Sequence, residues 1–255
     1  MSTRIRLVTR GDDLGSCHSA NSAIAEAVAC GTLRNASVMV PGPVFEAGAQ
    51  QFAQREDVCI GLHITLNAEW DEVKWGPVLP PDEVPSLVDG NGHFLPAPMD
   101  LHRRGFNHDE AMAEIEAQLH RARTAGLRIA YIDEHMGVGW LGALRERIRV
   151  LAQREGLVDA HDFMALPPAG NNGDLVLRWC AQLQSAAPGT YVLVTHPGRD
   201  AGDMRRLHNA GTQPGSVARE RDAERQALCD PRFAAKCRDN GVHLARYTDV
   251  MMPEA

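Results

Sequence analysis

Two adjacent aspartates near the amino terminus are the first residues whose types suggest chemistry. Asp12 and Asp13 follow the apolar segment 5–9, and Gly11 and Gly15 flank the pair. Neighbouring carboxylates repel each other, and proteins keep them together mainly where a cation or a shared proton offsets the repulsion. Capping of the following helix is the alternative, because aspartate is a good N-cap residue. The glycines favour a functional pair, since they let the backbone turn tightly around a bound group.

Three histidines also stand near or directly after the ends of short apolar segments, as residues at the carboxyl ends of strands do. They are His63, His135 and His196. A lone histidine in such a place is more often a hydrogen-bonded core residue. Two neutral imidazoles and one carboxylate, however, form a tridentate set that suits Zn²⁺, Fe²⁺ or a similar divalent ion and leaves positions open for water and substrate. An open site of this kind indicates catalysis rather than a structural metal.

Asp133 and His196 stand where they could support such a centre. Asp133 and His135 are two residues apart, so in an extended chain both face the same side, and Asp133 could orient a neighbouring ligand. Pro197 favours extended backbone at His196 and so fixes the direction in which its imidazole leaves the strand end. A histidine that only forms a turn is the alternative to a functional role. Because its pKa can lie near neutrality, a histidine beside the metal could protonate a leaving group. Among the remaining histidines only His93 is a candidate for a substrate contact.

The elements that position these residues alternate between strands and helices. Short apolar segments predict strands at 5–9, 36–40, 58–66, 128–132, 162–166, 191–195 and 242–247. Helical patterns, several of which end at a glycine, cover 19–30, 48–55, 109–125, 141–155, 174–186, 216–229 and 231–240. This order favours a single α/β domain over residues 1–255, either a parallel barrel or a doubly wound sheet. Segment 70–104, rich in proline and glycine and without periodicity, is predicted to be a long ordered insertion or lid.

The composition restricts the class of protein. The 255 residues are 44% hydrophobic and 23% charged, as is typical of globular proteins with a sizeable core. A formal charge of -7 and the absence of a basic run argue against binding to nucleic acid or to an anionic membrane. The six cysteines have no metal-site or disulfide spacing and are expected to be reduced packing residues. With no signal peptide and no segment of membrane-spanning length, a cytoplasmic protein is expected.

Four motifs, in this order along nearly the whole chain, resemble those of the YdjC-like carbohydrate deacetylase family, which includes chitooligosaccharide deacetylases. The resemblance rests on Asp-Asp-Leu-Gly at 12–15, Gly-Leu-His-Ile-Thr-Leu at 61–66, Tyr-Ile-Asp-Glu-His at 131–135 and His-Pro-Gly at 196–198. Arg221 and Glu224 match an arginine and a glutamate of a following helix in that family.

The resemblance implies a (β/α) barrel-like fold and one divalent metal ion, Mg²⁺ or Zn²⁺. The implied ligands are Asp13, His63 and His135. Asp12 would be the general base and His196 the general acid, while Asp133, Arg221 and Glu224 would support the ligands or contact the substrate. A small carbohydrate is the expected partner, and a homodimer is the alternative to a monomer.

Four positions depart from the family pattern. Arg10 stands where the family usually has asparagine, Tyr131 replaces a histidine, Glu134 replaces a serine, and Gly137 stands where another histidine is common. The three implied metal ligands are unaffected. The departures therefore concern the surroundings of the ligands and the identity of the substrate, and to a lesser degree the preferred metal.

The expected reaction is hydrolysis of an N-acetyl group from an amino sugar or a short N-acetylated oligosaccharide. Trp70, Trp75, Phe94 and Trp140 are candidates for stacking on sugar faces, with core packing as the alternative for each. Other functions stay open: a metal-dependent hydrolase of another amide, an ester or a phosphoester, or a noncatalytic protein that binds sugar or metal. A metal-independent glycosidase would instead need two carboxylates roughly 5 to 10 Å apart.

Overall fold

Parallel strands form the centre of the molecule in the computed structural model, which describes residues 5–167 and 173–250. The strands are β1 (Ile5–Leu14), β2 (Asn35–Val38), β3 (Cys59–Ile64), β4 (Ile129–Glu134), β5 (Val158–Asp159), β6 (Met164–Ala165), β7 (Gly189–Thr195) and β8 (Val242–Ala245). Their order in the sheet is β5-β4-β3-β2-β1-β7-β6, and β8 pairs with the first half of β1. All of these pairings are parallel.

Helices surround this sheet. They are α1 (His18–Ala29), α2 (Phe45–Phe52), α3 (Pro98–Arg104), α4 (His108–Thr124), α5 (Leu144–Glu155), α6 (Leu175–Ser185), α7 (Gly202–Arg205), α8 (Ser216–Cys229), α9 (Pro231–Asp239) and α10 (Tyr247–Val250). Two 3-10 segments, His135–Trp140 and Ala160–Asp162, follow β4 and β5. In the described ranges no helix is both long enough and apolar enough to cross a membrane.

The sheet is curled into a half-barrel, and the chain between β5 and β6 requires this shape. Laid flat, seven strands about 4.8 Å apart would place β5 and β6 about 29 Å from each other. The chain from Asp159 to Met164 can span at most about 18 Å, at about 3.6 Å per residue. The two ends of the sheet must therefore approach each other, and the predicted α/β, (β/α) barrel-like fold is confirmed.

The end of β1 corrects one expectation of the sequence analysis. The strand was predicted to end at residue 9, but it continues to Leu14 and carries both aspartates. Cys17 caps α1, with its thiol accepting a hydrogen bond from the backbone N–H of Ala20. The alternative explanation of the aspartates as helix caps is therefore wrong.

Several predicted boundaries also shift. Helix α2 begins at Phe45 rather than at residue 48, because Phe45 and Phe52 are buried together on its inner face. Strand β8 ends at Ala245, and Tyr247 begins α10 instead of ending a strand. The two-residue strand β5 has too little apolar sequence to be recognised by periodicity.

Two glutamates of α4 hold the insertion at 70–104 against that helix through hydrogen bonds to its backbone. Glu114 accepts hydrogen bonds from the backbone N–H groups of Val78 and Leu79, at 2.9 and 3.0 Å. Glu110 accepts one from Ser86 at 2.8 Å. Burial raises the pKa of Glu114. The insertion was expected to have no periodic elements, but it contains α3, and it is ordered as predicted.

Candidate active site

Three side chains predicted as metal ligands meet at the carboxyl ends of β1, β3 and β4. Asp13 Oδ1 lies 3.5 Å from His63 Nε2 and 3.3 Å from His135 Nδ1. The two ring nitrogens are 3.3 Å apart. All three side chains are buried. Residues separated by as many as 122 positions in sequence thus present three potential ligand atoms to one point.

The donor set fits a divalent ion. Ligand atoms around a common ion with bonds of about 2.0 to 2.1 Å lie at about these separations from one another. Asp13 Oδ1 is buried, and among the described residues no hydrogen-bond donor satisfies it. A buried carboxylate oxygen in that state is costly unless a cation faces it.

The backbone at Asp13 explains how two consecutive aspartates reach the same interior. Successive side chains of a regular strand point to opposite faces. The register of β1 against β2 shifts between Gly11 and Leu14, and Asp13 adopts a φ of +68°. This left-handed conformation costs a non-glycine residue about 1 to 2 kcal/mol. The strand therefore holds a locally unfavourable turn that keeps Asp12 and Asp13 together in the interior.

Carboxylates orient both imidazoles. Asp133 Oδ1 lies 3.1 Å from His63 Nδ1, and Glu69 Oε2 lies 3.0 Å from His135 Nε2. Such contacts fix the ring orientation and the protonated nitrogen of a metal-binding histidine. The supporting position of Asp133 is predicted by its spacing from His135, whereas no sequence pattern indicates Glu69, which lies in the irregular segment after β3.

Asp12 is held by an arginine that the sequence analysis noted only as a departure from the family pattern. Arg10 Nε and Nη2 donate to the two carboxylate oxygens of Asp12 at 2.7 and 2.8 Å. Its third nitrogen, Nη1, lies 3.0 Å from Asp133 Oδ2. His196 Nε2 lies 4.0 Å from Asp12 Oδ2, and its side chain is 42% exposed. Asp12 therefore faces a fixed cation on one side and an accessible histidine on the other.

The surrounding charges keep both aspartates ionised. Burial alone raises the pKa of Asp12, but the positive charges of Arg10, His63 and His196 outweigh it, so the pKa lies below its ordinary value. Burial likewise raises the pKa of Asp13. The opposing charge of Arg221, whose Nη2 donates to Asp13 Oδ2 at 2.7 Å, and the two nearby histidines hold the pKa of Asp13 well below the usual range.

The pKa values of His63 and His135 shift in the opposite direction, above the ordinary value of a histidine. Burial lowers the pKa of His63, but the charges of Asp133 and Asp12 more than reverse this, and the pKa lies well above its ordinary value. For His135, burial is likewise outweighed by Glu69 and by Asp13, and the pKa rises to about 9. Without a bound cation both rings therefore favour the protonated state at neutral pH.

An open cavity of about 450 Å³ gives access to this cluster. Trp70 lines it, whereas Trp75 and Phe94 are buried in the core and Trp140 packs against His102 in a tilted arrangement with ring centroids 5.5 Å apart. Glu224 accepts a hydrogen bond from the backbone N–H of His196. The lining residues are Arg10, Asp12, Asp13, His63, Glu69, Trp70, Glu134, His135, Met136, Gly137, Val194, His196, Asn209, Thr212 and Arg221.

Most of the predicted site residues thus lie together. Arg221 lines the cavity, whereas Asp133 lines an adjacent cavity and Glu224 lines another one beside His196. Burial raises the pKa of Glu224. His93 is not among the residues that line the cavity around the cluster.

Comparisons with known proteins identify relatives of this chain. The family model described as YdjC-like protein matches residues 6–239. A carbohydrate deacetylase of Thermoanaerobacter pseudethanolicus is 31% identical over 136 residues, which cover 51% of this chain and 49% of that protein. A carbohydrate deacetylase of Mus musculus is 30% identical over 197 residues, or 72% of this chain and 56% of that protein. The chain thus matches about half the length of these curated relatives.

A solved structure shares the fold. It belongs to an Enterococcus faecalis protein that is described as a cellobiose-phosphate cleavage protein. The TM-score is 0.80 at 19% sequence identity, and the match covers 98% of this chain and all of the other. At this identity the match supports the fold alone.

Proposed function

Because this chain belongs to the YdjC-like family, we propose that it is a metal-dependent hydrolase that removes an N-acetyl group from an amino sugar or a short N-acetylated oligosaccharide. The observation that carries the proposal is the meeting of Asp13, His63 and His135 beside the ionised Asp12 in an open cavity. A metal triad next to a separate carboxylate is the arrangement that hydrolysis by an activated water requires.

The charges of the buried cluster also favour one divalent ion. Four carboxylates contact the two histidines or the two guanidinium groups, namely Asp12, Asp13, Glu69 and Asp133. When both histidines are neutral, the guanidinium groups of Arg10 and Arg221 balance only two of the four negative charges. One divalent cation would supply the other two, which matters in an interior where an unpaired charge is expensive. When bound, the ion would polarise the acetyl carbonyl and lower the pKa of an attacking water.

Asp12 is the residue placed to accept the proton of that water. Its carboxylate is ionised, and Arg10 fixes its orientation by contacts to both oxygens. His196, on the accessible side of Asp12, is placed to protonate the departing amine. General acid catalysis of this kind contributes about 10²- to 10⁴-fold, because an unprotonated amine is a very poor leaving group.

The cavity gives the substrate its binding surface. Its volume of about 450 Å³ is within the range of small-molecule sites, and the aromatic side chain of Trp70 is among those that line it. Asn209 and Thr212 add polar side chains to the cavity lining. An aromatic face with a few hydrogen-bonding groups suits a sugar ring, which presents both apolar and hydroxyl surfaces.

Acetate release tests this proposal. Metal-stripped protein is assayed on a panel of N-acetylated mono- and oligosaccharides, with single divalent ions added back. The Asp12→Asn variant removes the proton acceptor, and His63→Ala removes a metal ligand. His243→Ala, an exposed histidine on β8, is the matched control.

The expected result is acetate release that requires a divalent ion, is lost in both site variants and is retained in the control. Acetate release that survives the loss of His63 and the removal of metal would refute the metal mechanism. Metal binding without acetate release from any substrate would instead support the hydrolysis of another amide, an ester or a phosphoester, or a noncatalytic binding protein.

A further inference from the structure

Two cysteines that the proposed reaction does not use lie where helices α1 and α8 meet. Cys30 directly follows α1 and is exposed, and Cys229 is the last residue of α8 and is half-buried. The other four cysteines are buried, as expected for packing residues, namely Cys17, Cys59, Cys180 and Cys237. A reagent in solution can therefore reach the thiols of Cys30 and Cys229 without unfolding the protein.

Contacts between α1 and α8 show that the two helices run in the same direction. Glu26 Oε1 accepts a hydrogen bond from Arg225 Nη1 at 2.9 Å. Further along both segments, Thr32 Oγ1 donates to the backbone carbonyl of Leu228 at 2.5 Å. Position rises along the chain on both sides of the contact, so the ends of the two helices lie together.

The two cysteines lie between these contacts. Cys30 is one helical turn beyond Glu26, and its backbone N–H donates to the carbonyl of Glu26 at 2.9 Å. Cys229 is likewise one turn beyond Arg225, and residues four apart lie on the same face of a helix. Burial, together with the neighbouring thiol of Cys30, raises the pKa of Cys229 to about 12. The ion pair one turn earlier thus places the two thiols opposite each other.

We infer that Cys30 and Cys229 form a reversible disulfide bond when the folded protein meets a low-molecular-weight disulfide such as oxidised glutathione. The Cys30 thiolate attacks one sulfur of that disulfide, which gives a mixed disulfide and a thiolate that takes up the proton lost by Cys30. Cys229 then loses its proton and attacks the Cys30 sulfur, which closes the intramolecular bond and releases the second small thiol. Two protein thiols are oxidised, and one small disulfide is reduced to two thiols.

The bond would fasten a helix that also reaches the candidate active site. Arg221 of α8 donates to Asp13, whereas Cys229 lies eight residues, or about 12 Å, further along the helix. The bond therefore holds α8 against α1 without contacting the cavity. The inference does not depend on the proposed function.

Peptide mapping of the folded protein tests the inference. The protein is equilibrated with mixtures of reduced and oxidised glutathione, free thiols are blocked with an alkylating agent, and linked peptides are identified by mass spectrometry. Cys30→Ser and Cys229→Ser each remove one partner of the bond. Cys180→Ala, which removes a buried cysteine of α6, is the matched control.

The expected result is one intramolecular bond between Cys30 and Cys229 in the wild type and in the control, reversed by dithiothreitol, and none in either serine variant. In Cys229→Ser, Cys30 should keep a glutathionyl group, because the second step has lost its nucleophile. The midpoint of thermal unfolding should lie at least about 5 °C higher in the oxidised than in the reduced wild type, because the bond restricts the unfolded chain. Six free thiols at every glutathione ratio, a bond that forms only in unfolded protein, or an unchanged midpoint would overturn the inference.

Discussion

Binding of a divalent ion to this protein should release protons, and the number follows from the two buried histidines. Both rings favour the protonated state in the metal-free protein, with the pKa of His135 at about 9 and that of His63 well above its ordinary value. A ring nitrogen can bind a metal only after it has lost its proton. We therefore expect close to two protons to be released per ion bound at pH 7.

This release of protons also sets how the affinity for the divalent ion depends on pH. Each proton that must leave changes the apparent association constant about tenfold per pH unit, or about 1.4 kcal/mol. Two protons give about 100-fold, or about 2.7 kcal/mol, between pH 6 and pH 7. The dependence should flatten as the pH approaches the pKa of His135 at about 9, because that ring is then already neutral.

The stability of the metal-free protein should have the opposite pH dependence. A histidine whose pKa is raised by folding stabilises the folded state fully below the unfolded value of about 6.5. This contribution is lost as the pH rises through about 9, where His135 loses its proton. The midpoint of thermal unfolding of metal-free protein should therefore fall between pH 6.5 and 9, while excess metal should oppose this fall.

Isothermal titration calorimetry in buffers of different ionisation enthalpy measures the released protons directly. The His196→Ala variant is the matched control, since His196 lies outside the triad and its loss should leave the count near two. A count near zero at pH 7, or an affinity that does not change between pH 6 and 7, would refute the argument that the two histidines exchange their protons for the ion.

Three further predictions follow from individual contacts. His196→Ala should lower kcat for acetate release by about 10²- to 10⁴-fold with little change in KM, measured by steady-state kinetics at a fixed metal concentration. An unchanged kcat would exclude His196 as the general acid. Asp133→Asn should weaken metal affinity by about 10- to 100-fold in calorimetric titrations, because His63 loses its orienting carboxylate. Gly61→Ala should lower the free energy of unfolding in urea by about 1 to 3 kcal/mol, since an added Cβ would lie 2.2 Å from the Tyr131 ring; unchanged stability would contradict that packing.

Much of the arrangement could be predicted from sequence because the polar residues follow strands directly. Asp13, His63 and His135 each stand at a carboxyl end of β1, β3 or β4, or directly after it, and parallel strands bring such ends together. The contact of Arg10 with Asp12 was also available from sequence, since residues two apart in a strand share a face. It was missed because the strand was predicted to end at residue 9.

Other contacts of the site could not be predicted from the local sequence. Glu69 reaches His135 from an irregular segment whose path depends on the packing of the insertion. Tyr247 meets Arg10 across 237 positions of sequence, and nothing in the periodicity of either segment indicates that contact. Long-range contacts made by loops and chain ends depend on tertiary packing, which propensity and periodicity do not encode.

Two of the four departures from the family pattern, Arg10 and Tyr131, are linked through the carboxylate of Asp133. Asp133 Oδ2 receives Arg10 Nη1 and a hydrogen bond from Ser37 Oγ. Because Ser37 donates its only proton to Asp133, the hydroxyl of Tyr131, 2.7 Å away, is the donor to Ser37. Gly61 leaves the space that the Tyr131 ring occupies. Arg10 and Tyr131, which stand where the family usually has asparagine and histidine, therefore belong to one connected network around Asp133, which in turn contacts His63, and Arg10 adds a positive charge to this interior.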